Sequence, residues 1–218
     1  MAQLSLFEWS EGVVADDERG RITYTPHFVA APVAQAWFAE LRTGVSWKAE
    51  RRRMYDRDVD VPRLTAHFHL APEDLEAEPP PDAIMQAAQR VIASTAVPFN
   101  SVGLNWYRSG RDSVAPHNDH LDTIVEGFPI GLLSLGATRR MTIRGKKAPR
   151  RVFHIDLEGG SLLMMSHATQ LHYTHGIPKS VEPVGERISL AFRVKPARGP
   201  SANGAQGDAY RRTAVSPR

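Results

Sequence analysis

Short apolar segments follow one another through the second half of the chain, separated by Gly, Pro and charged turn residues. The candidate strands are residues 101–108, 114–119, 129–136, 138–144, 151–156, 160–166, 172–177 and 186–194. Strands of this length and spacing are typical of a β-sandwich or barrel with double-sheet jelly-roll topology. We therefore expect a mainly β fold.

Two earlier segments have helical periodicity instead. In residues 32–43, the apolar side chains Val33, Trp37 and Leu41 recur at intervals of four, which predicts one apolar stripe. Residues 82–94 show a similar stripe. We expect these two helices to flank the β core.

The domain limits follow from composition. A chain of 218 residues is long enough for one such domain with additions. We predict a single domain over residues 1–197, with the jelly-roll core at roughly 97–195. Residues 1–26 read as short strands and turns, and 71–81 as an acidic, Pro-rich linker. The tail, 198–218, is small and polar without periodicity, so we expect it to be disordered.

Composition also limits the chemistry and the compartment. With no Cys, the chain has no disulfides, Cys-ligated zinc or thiol nucleophile. No apolar run approaches the ~20 residues of a membrane-spanning helix, and the N-terminus lacks the features of a secretory signal. We expect a monomeric, cytoplasmic (intracellular) protein without membrane association.

Positive charge is clustered along the chain, whose pI is about 9.4. The clusters are Arg51–Arg53, Arg139–Arg140, Arg144 to Arg151 and Arg211–Arg212. Such clusters bind phosphate backbones in some proteins and form an ordinary charged surface in others, and both explanations remain open here.

An H-x-D triplet, His117 and Asp119, follows a turn-rich segment. On a strand, residues i and i+2 share a face, so the imidazole and the carboxylate would lie side by side. A second His from a distant strand would complete the two-histidine, one-carboxylate arrangement that binds Fe(II) with open positions. His167, His172 and His175 lie downstream, and periodicity does not choose among them.

Two more same-face pairs accompany the triplet. Asn105 and Tyr107 lie two residues apart, and Arg187 and Arg193 lie six apart on one candidate strand. A guanidinium binds carboxylates bidentately, so the arginine pair suits a dicarboxylate.

Residues 45–70 combine aromatic side chains with a dense run of arginines. Trp47, Tyr55 and Phe68 would stack on bases while the arginines contact phosphates, as in single-strand-binding proteins. The competing explanation is a strand pair with a solvated basic face, which periodicity alone favours slightly.

Taken together, these motifs resemble the catalytic core of the AlkB-like Fe(II)/2-oxoglutarate dioxygenases, the oxidative nucleic-acid demethylases. The matching stretches read N-S-V-G-L-N-W-Y-R, D-S-V-A-P-H-N-D-H, P-I-G-L-L-S-L-G-A-T-R, G-G-S-L-L-M-M, H-G-I-P-K and E-R-I-S-L-A-F-R. They lie between Phe99 and Arg193, in the family's order and spacing. The resemblance implies a double-stranded β-helix (jelly-roll) core with an N-terminal nucleotide-recognition lid, roughly residues 45–70.

The resemblance also implies roles for the paired residues. Fe(II) would be bound by His117, Asp119 and His175, because the G-I-P-K after His175 matches the pattern that follows the family's second metal histidine. The residues implied to hold 2-oxoglutarate are Asn105, Tyr107, Arg187 and Arg193.

The implied reaction is oxidative demethylation of N-alkylated bases, of the 1-methyladenine and 3-methylcytosine type, in DNA or RNA. Its co-substrates would be 2-oxoglutarate and O2, and its products formaldehyde, succinate and CO2. A base in a duplex would have to be rotated out of the stack. The candidate substrate contacts are Trp47, Arg51, Arg52, Arg53, Met54, Tyr55, His67, Phe68, His120, Asp122 and Arg139.

The chain departs from the family pattern at two places. His120 stands where an acid often follows the triplet, with Asp122 the nearest acid. Ser189 and Ala191 replace the Asn or Thr often found between the arginines. The preferred base is therefore open, and so are two other functions: a 2-oxoglutarate oxygenase acting on a small molecule or protein side chain, and a non-enzymatic nucleic-acid-binding protein.

Overall fold

A computed structural model describes residues 12–54, 57–70 and 79–196, and within residues 52–59 it describes no side chain. The strands are β1 (Gly12–Asp17), β2 (Gly20–Thr25), β3 (Lys48–Met54), β4 (Arg57–His69), β5 (Ser101–Tyr107), β6 (Val114–His117), β7 (Ile130–Gly136), β8 (Arg139–Gly145), β9 (Val152–Leu157), β10 (Leu162–Met165), β11 (Tyr173–Ile177) and β12 (Arg187–Arg193). The helices are α1 (Ala31–Gly44), α2 (Asp82–Thr95) and α3 (His167–His172), with a 3-10 turn at Leu121–Thr123.

The strands form two antiparallel sheets. The larger runs β1-β2-β10-β7-β12-β5-β4-β3 and the smaller β6-β11-β8-β9. This arrangement confirms the predicted mainly β, jelly-roll class. Each helix in the described part of the chain is too short or too polar to span a lipid bilayer.

The larger sheet is buried on both faces, which explains why its central strands are apolar at nearly every position. All of β7 except Gly136 is buried, as is all of β12 except Arg193. One face packs against α1 and α2 and forms an outer core that includes Leu104, Leu133 and Leu190. The other face packs against the smaller sheet.

The inner core lies between the sheets and is apolar over most of its area. It includes Ile22, Leu163, Ile143 and Tyr173. Strand alternation sends odd-numbered residues of β5 and β12 to this inner face and even-numbered residues to the outer core. The polar residues of the candidate site therefore share the space between the sheets with the inner core.

The two predicted helices are confirmed, and so are Trp37 and Leu41 on the apolar stripe of the first, but Val33 was wrong. In α1 the buried side chains are Ala34, Trp37 and Leu41, whereas Val33 is 42% exposed. Pro32 lies in the first turn, where the missing N–H costs no hydrogen bond.

The predicted strands after residue 97 are confirmed within one to three residues at most ends, but the sequence patterns missed α3. They also placed Asp119 on a strand, whereas β6 ends at His117. The segment predicted to be the lid, roughly residues 45–70, forms the long hairpin of β3 and β4. The predicted linker, apart from residues 79–81, and the tail at 198–218 lie outside the described residues.

Candidate metal centre

Two histidines meet across neighbouring strands of the smaller sheet. β6 pairs with β11 so that His117 faces His175, and their ring centroids are 4.5 Å apart. Asp119 joins them, and one ligand atom from each of the three residues lies within 4.8 Å of the others. In the described part of the chain this is the one such group of His and acidic residues, so neither His167 nor His172 is part of it.

Asp119 reaches this cluster from a loop and not from a strand. Its backbone N–H donates to Oε1 of Gln170 at 3.0 Å, and its Oδ2 accepts from Nε of Arg193 at 2.6 Å. The neighbouring imidazole and carboxylate therefore owe their arrangement to two long-range hydrogen bonds. Strand alternation, from which the sequence pattern was interpreted, is not the cause.

The protonation states suit metal binding. Burial, followed by the nearby His117, lowers the pKa of His175 to about 4, so its imidazole is neutral at pH 7 as a metal ligand must be. Burial alone would raise the pKa of Asp119, but the Arg193 guanidinium outweighs it and the pKa lies below its ordinary value. In His117, Nδ1 lies 3.0 Å from the carbonyl of Ala115, which leaves Nε2 for a metal.

A second group of polar residues lies deeper between the sheets. β5 and β12 pair so that Tyr107 faces Arg187, and the guanidinium of Arg187 lies 5.2 Å from the centre of the Tyr107 ring. Arg187 is fully buried, and burial lowers its pKa to about 10, so it remains a cation at pH 7. Its Nη2 donates to Oγ of Ser134 at 2.8 Å.

The remaining donors of Arg187 show what this site would accept. Its Nε and Nη1 are buried and have no hydrogen-bond partner among the described residues. A buried cation with unsatisfied donors is costly unless an anion pairs with it. The group therefore fits one carboxylate of a dicarboxylate, and the His-Asp-His cluster fits a divalent metal.

The four residues predicted to hold the dicarboxylate lie on β5 and β12, but they do not form one fork. Arg193 is paired with Asp119, at the opposite end of β12 from Arg187. The side chain of Asn105 accepts a hydrogen bond from Nε of Arg63 at 2.7 Å. Arg63 was not among the predicted site residues, although it lies in the V-P-R-L-T-A-H-F segment that resembles the lid.

An open cleft of about 790 Å³ leads to the metal cluster. Its basic side chains outnumber its acidic ones. The Arg and Lys side chains that line it are Arg63, Lys179, Arg193 and Lys195, against Asp60 and Asp119. A cleft with this balance of charge favours an anionic ligand.

The predicted substrate contacts fall into different environments, and among those whose side chains are described, His120 lines this cleft. Trp47 and Phe68 pack against the outer core, on the face of the larger sheet away from the metal cluster. Trp47 also lies 5.3 Å from Trp106, measured between ring centroids. Both side chains are half-buried in these contacts, and their predicted role in stacking on a base stays a prediction.

Two of the other candidates are engaged in polar contacts. Arg51 forms an exposed ion pair with Asp60, and Nε2 of His67 lies 2.9 Å from Oγ of Ser101. Asp122 is exposed on the 3-10 turn. The side chains of Arg52, Arg53, Met54 and Tyr55 lie outside the described residues.

Arg139 is buried beside the Tyr107 ring and does not line the cleft. It is 3% exposed, and its guanidinium is 5.4 Å from the centre of the Tyr107 ring. It donates to the backbone carbonyls of Ser109, Asp112 and Pro178 at 2.8–3.1 Å. Tyr107 is thus in contact with two buried guanidinium groups, those of Arg139 and Arg187.

Comparison with known proteins identifies one family. The model of the 2OG-Fe(II) oxygenase superfamily matches residues 21–193, which includes every residue of the metal cluster and of the group around Arg187.

Curated relatives fall into two named groups. The Bos taurus protein named alpha-ketoglutarate-dependent dioxygenase alkB homolog 3 is 32% identical over 188 residues, which is 79% of this chain and 65% of the relative. The Homo sapiens protein of the same name is also 32% identical over 188 residues, with the same coverage. The Bos taurus protein named DNA oxidative demethylase ALKBH2 is 37% identical over 111 residues, which is 48% of this chain and 40% of the relative. The matched region thus spans less than two thirds of each of these relatives.

Proposed function

Because the chain belongs to the 2OG-Fe(II) oxygenase superfamily, as an AlkB-like member, we propose that it demethylates N-alkylated bases of DNA or RNA oxidatively. The bases are of the 1-methyladenine and 3-methylcytosine type, and the products are formaldehyde, succinate and CO2. The observation that carries the proposal is the cluster of His117, Asp119 and His175, with one ligand atom of each within 4.8 Å of the others.

The family implies Fe(II) and 2-oxoglutarate, and the cluster would hold the metal by two imidazoles and one carboxylate. Three protein ligands would leave positions on the metal open for the co-substrates. With both co-substrates bound, the metal supplies the oxidising power that hydroxylates the N-methyl carbon. Asp119 remains ionised through its pairing with Arg193, so its negative charge is available to the metal.

Arg187 would hold the distal carboxylate of 2-oxoglutarate. Its unsatisfied Nε and Nη1 present two donors, and Ser134 holds the third nitrogen of the guanidinium. The Tyr107 ring lies against the Arg187 guanidinium, and Arg139, near the same ring, adds a second positive charge. Asn105, oriented by Arg63, would contact the co-substrate nearer the metal.

A nucleic-acid substrate is supported by the charge of the cleft and by the names of the relatives, which include DNA oxidative demethylases. The flipped base would enter the cleft, where His120 is positioned to contact it. The basic hairpin of β3 and β4, with Arg51 to Arg53, would run beside the phosphate backbone. We propose a monomer, since the substrate is a polymer that one subunit can approach.

The test measures formaldehyde and succinate release from Fe(II)-loaded protein with 2-oxoglutarate and a single-stranded oligonucleotide that carries 1-methyladenine or 3-methylcytosine. We expect turnover that requires 2-oxoglutarate and is lost in His117→Ala. The matched control is His154→Ala, which removes a histidine of β9 outside the metal cluster and should leave turnover unchanged.

Other outcomes would redirect the assignment. Succinate formation without formaldehyde from any oligonucleotide would keep the oxygenase and remove the nucleic-acid substrate, leaving a small molecule or a protein side chain. Neither product, together with no metal binding, would contradict the proposal altogether.

A further inference from the structure

Gln170 is a buried amide for which the proposed reaction has no direct use. It lies on α3, is 1% exposed, and its Oε1 accepts the backbone N–H of Asp119 at 3.0 Å. Its Nε2 donates to Oγ1 of Thr169 at 3.1 Å. Both ends of the amide are therefore satisfied, and one of them is bound to a residue of the metal cluster.

The bond to Asp119 has a specific consequence because of where Asp119 lies. β6 ends at His117, so Asp119 is beyond the last residue of the strand and its N–H has no strand partner. Gln170 supplies the acceptor in place of a neighbouring strand. Arg193 binds the carboxylate at the other end of the same residue, so Asp119 is held at its backbone and at its side chain.

Gln170 is itself held in place from three directions. Oγ1 of Thr169 donates to the carbonyl of Ser166 at 2.6 Å, which closes the first turn of α3. Oγ of Ser166 accepts the backbone N–H of Arg21 on β2 at 2.9 Å. Nζ of Lys146 donates to the carbonyl of Gln170 at 2.7 Å. The helix that carries Gln170 is thus attached to β2 of the larger sheet and to Lys146, the residue that follows β8 of the smaller sheet.

We propose that Gln170 is a positioning residue for the metal centre: it fixes the backbone of Asp119 so that the carboxylate is presented to the metal. The inference depends on the metal site of the proposed function. Without the amide, the buried N–H of Asp119 would have no acceptor and the loop would shift to reach water.

Metal affinity tests this role without any turnover. Metal-free protein would be titrated with Co(II), a spectroscopic substitute for Fe(II), and the dissociation constant read from the visible absorption of the bound ion. Gln170→Met keeps the length of the side chain and removes the acceptor. We expect it to bind Co(II) about 10- to 100-fold more weakly, which is the usual effect of removing a hydrogen bond to a metal ligand.

Gln86→Met is the matched control. Oε1 of Gln86 accepts the indole N–H of Trp37 at 3.1 Å, in the outer-core region between α1 and α2 and away from the metal cluster. We expect this variant to bind Co(II) as wild type does. A general loss of packing would affect both variants, whereas a positioning role affects only Gln170→Met.

Hydrogen exchange gives a second readout, and its first measurement uses the wild type alone. In metal-free wild type the amide of Asp119 should exchange slowly, although it lies beyond the end of a strand. Gln170→Met should accelerate that amide selectively. This measurement keeps the inference testable if Gln170→Met does not fold.

The outcomes separate this inference from the proposed function. Wild type that binds no Co(II) would contradict the metal site itself. If wild type binds Co(II) and Gln170→Met binds it with equal affinity, the role of Gln170 is overturned and the metal site stands. Fast exchange of the Asp119 amide in metal-free wild type would overturn that role as well.

Discussion

At the scale of single residues, the site is defined by charges whose partners are unevenly distributed. Asp119 has a guanidinium beside it, so its charge is balanced within the chain. Arg187 is also buried, but two of its nitrogens have no hydrogen-bond acceptor among the described residues. A second cation, Arg139, lies near the same Tyr107 ring. The imbalance at Arg187 is what a bound anion would correct.

Arg187→Met should therefore weaken 2-oxoglutarate binding without lowering the stability of the fold. Affinity for 2-oxoglutarate should fall about 10- to 100-fold, since hydrogen bonds to a charged group are removed. The free energy of unfolding without 2-oxoglutarate should not fall, because an uncompensated buried cation is removed as well. Calorimetric titration of Co(II)-loaded protein with 2-oxoglutarate and urea unfolding measure the two quantities.

Arg42→Met is the control for that experiment. Arg42, on α1, forms a surface ion pair with Glu186, so its replacement should change neither quantity appreciably. Unchanged 2-oxoglutarate affinity in Arg187→Met would contradict the assignment of the anion site.

Asp112 lies outside the metal cluster, and its carboxyl group should make the stability of the fold depend on pH. Burial would raise the pKa of this carboxyl, but Arg108 donates its backbone N–H and two guanidinium N–H groups to it and the pKa lies below its ordinary value. The carboxylate therefore stabilises the fold above its unfolded pKa, and this contribution is lost as the pH falls through the lower folded pKa.

Asp112→Asn should consequently be less stable than wild type at pH 7, and the difference should vanish in acid. Urea unfolding at a series of pH values measures it. A difference that stays constant down to strongly acidic pH would show that the charge of Asp112 is not the cause.

Sequence spacing predicted His117 and Asp119 as one pair of neighbours and Asn105 and Tyr107 as another. The members of each pair lie two residues apart. Sequence spacing did not predict Gln170, which meets Asp119 across 51 positions of sequence. A single Gln carries no sequence signal of a long-range hydrogen bond, so only the tertiary structure reveals this one.

At the scale of elements, regular strands were predictable and the pieces between them were not. The strands after residue 97 coincide with apolar segments of the sequence, so the sequence pattern alone locates them. The short helix α3 has six residues, less than two turns, so its periodicity is too brief to detect. The loop at Asp119 takes its shape from contacts with α3 and β12, which no local pattern encodes.

The hairpin of β3 and β4 is the element expected to contact the nucleic-acid backbone. Arg51→Gln, Arg52→Gln and Arg53→Gln together should weaken oligonucleotide binding and reduce its salt dependence. The slope of log K against log salt should become shallower by about 0.7 for each phosphate that an arginine no longer neutralises. Binding measured at several salt concentrations tests this.

The control for the hairpin is Arg140→Gln on β8, an exposed cation paired with Asp156. It should leave the slope nearly unchanged. If the hairpin triple variant keeps the wild-type slope and turnover, the substrate does not contact the hairpin, as expected for a small-molecule or side-chain oxygenase.

At the scale of the whole molecule, the larger sheet separates two cores with different tasks. The outer core packs α1 and α2 against the sheet, and the inner core shares its space with the site. The class of fold was predictable because short apolar segments recur at a spacing typical of a jelly roll. The division of the polar residues between the two faces was predictable only once strand register was known.

Ile84→Ala tests the separation of the two cores. Ile84 is fully buried on α2, so its truncation should lower the free energy of unfolding by about 2–5 kcal/mol. Co(II) affinity should be unchanged, because the metal cluster lies on the other side of the larger sheet. Val33→Ala, at an exposed position of α1, is the control and should be nearly neutral in both measurements.

The position of β3 at the end of the larger sheet has a consequence for the protein in a crowded solution. A terminal strand is a template on which a second chain can add a strand of its own and begin to aggregate. β3 reads K-A-E-R-R-R-M, so a second copy aligned along it would bring like charges together. The residues expected to attract phosphate therefore also protect the sheet from growing by self-association.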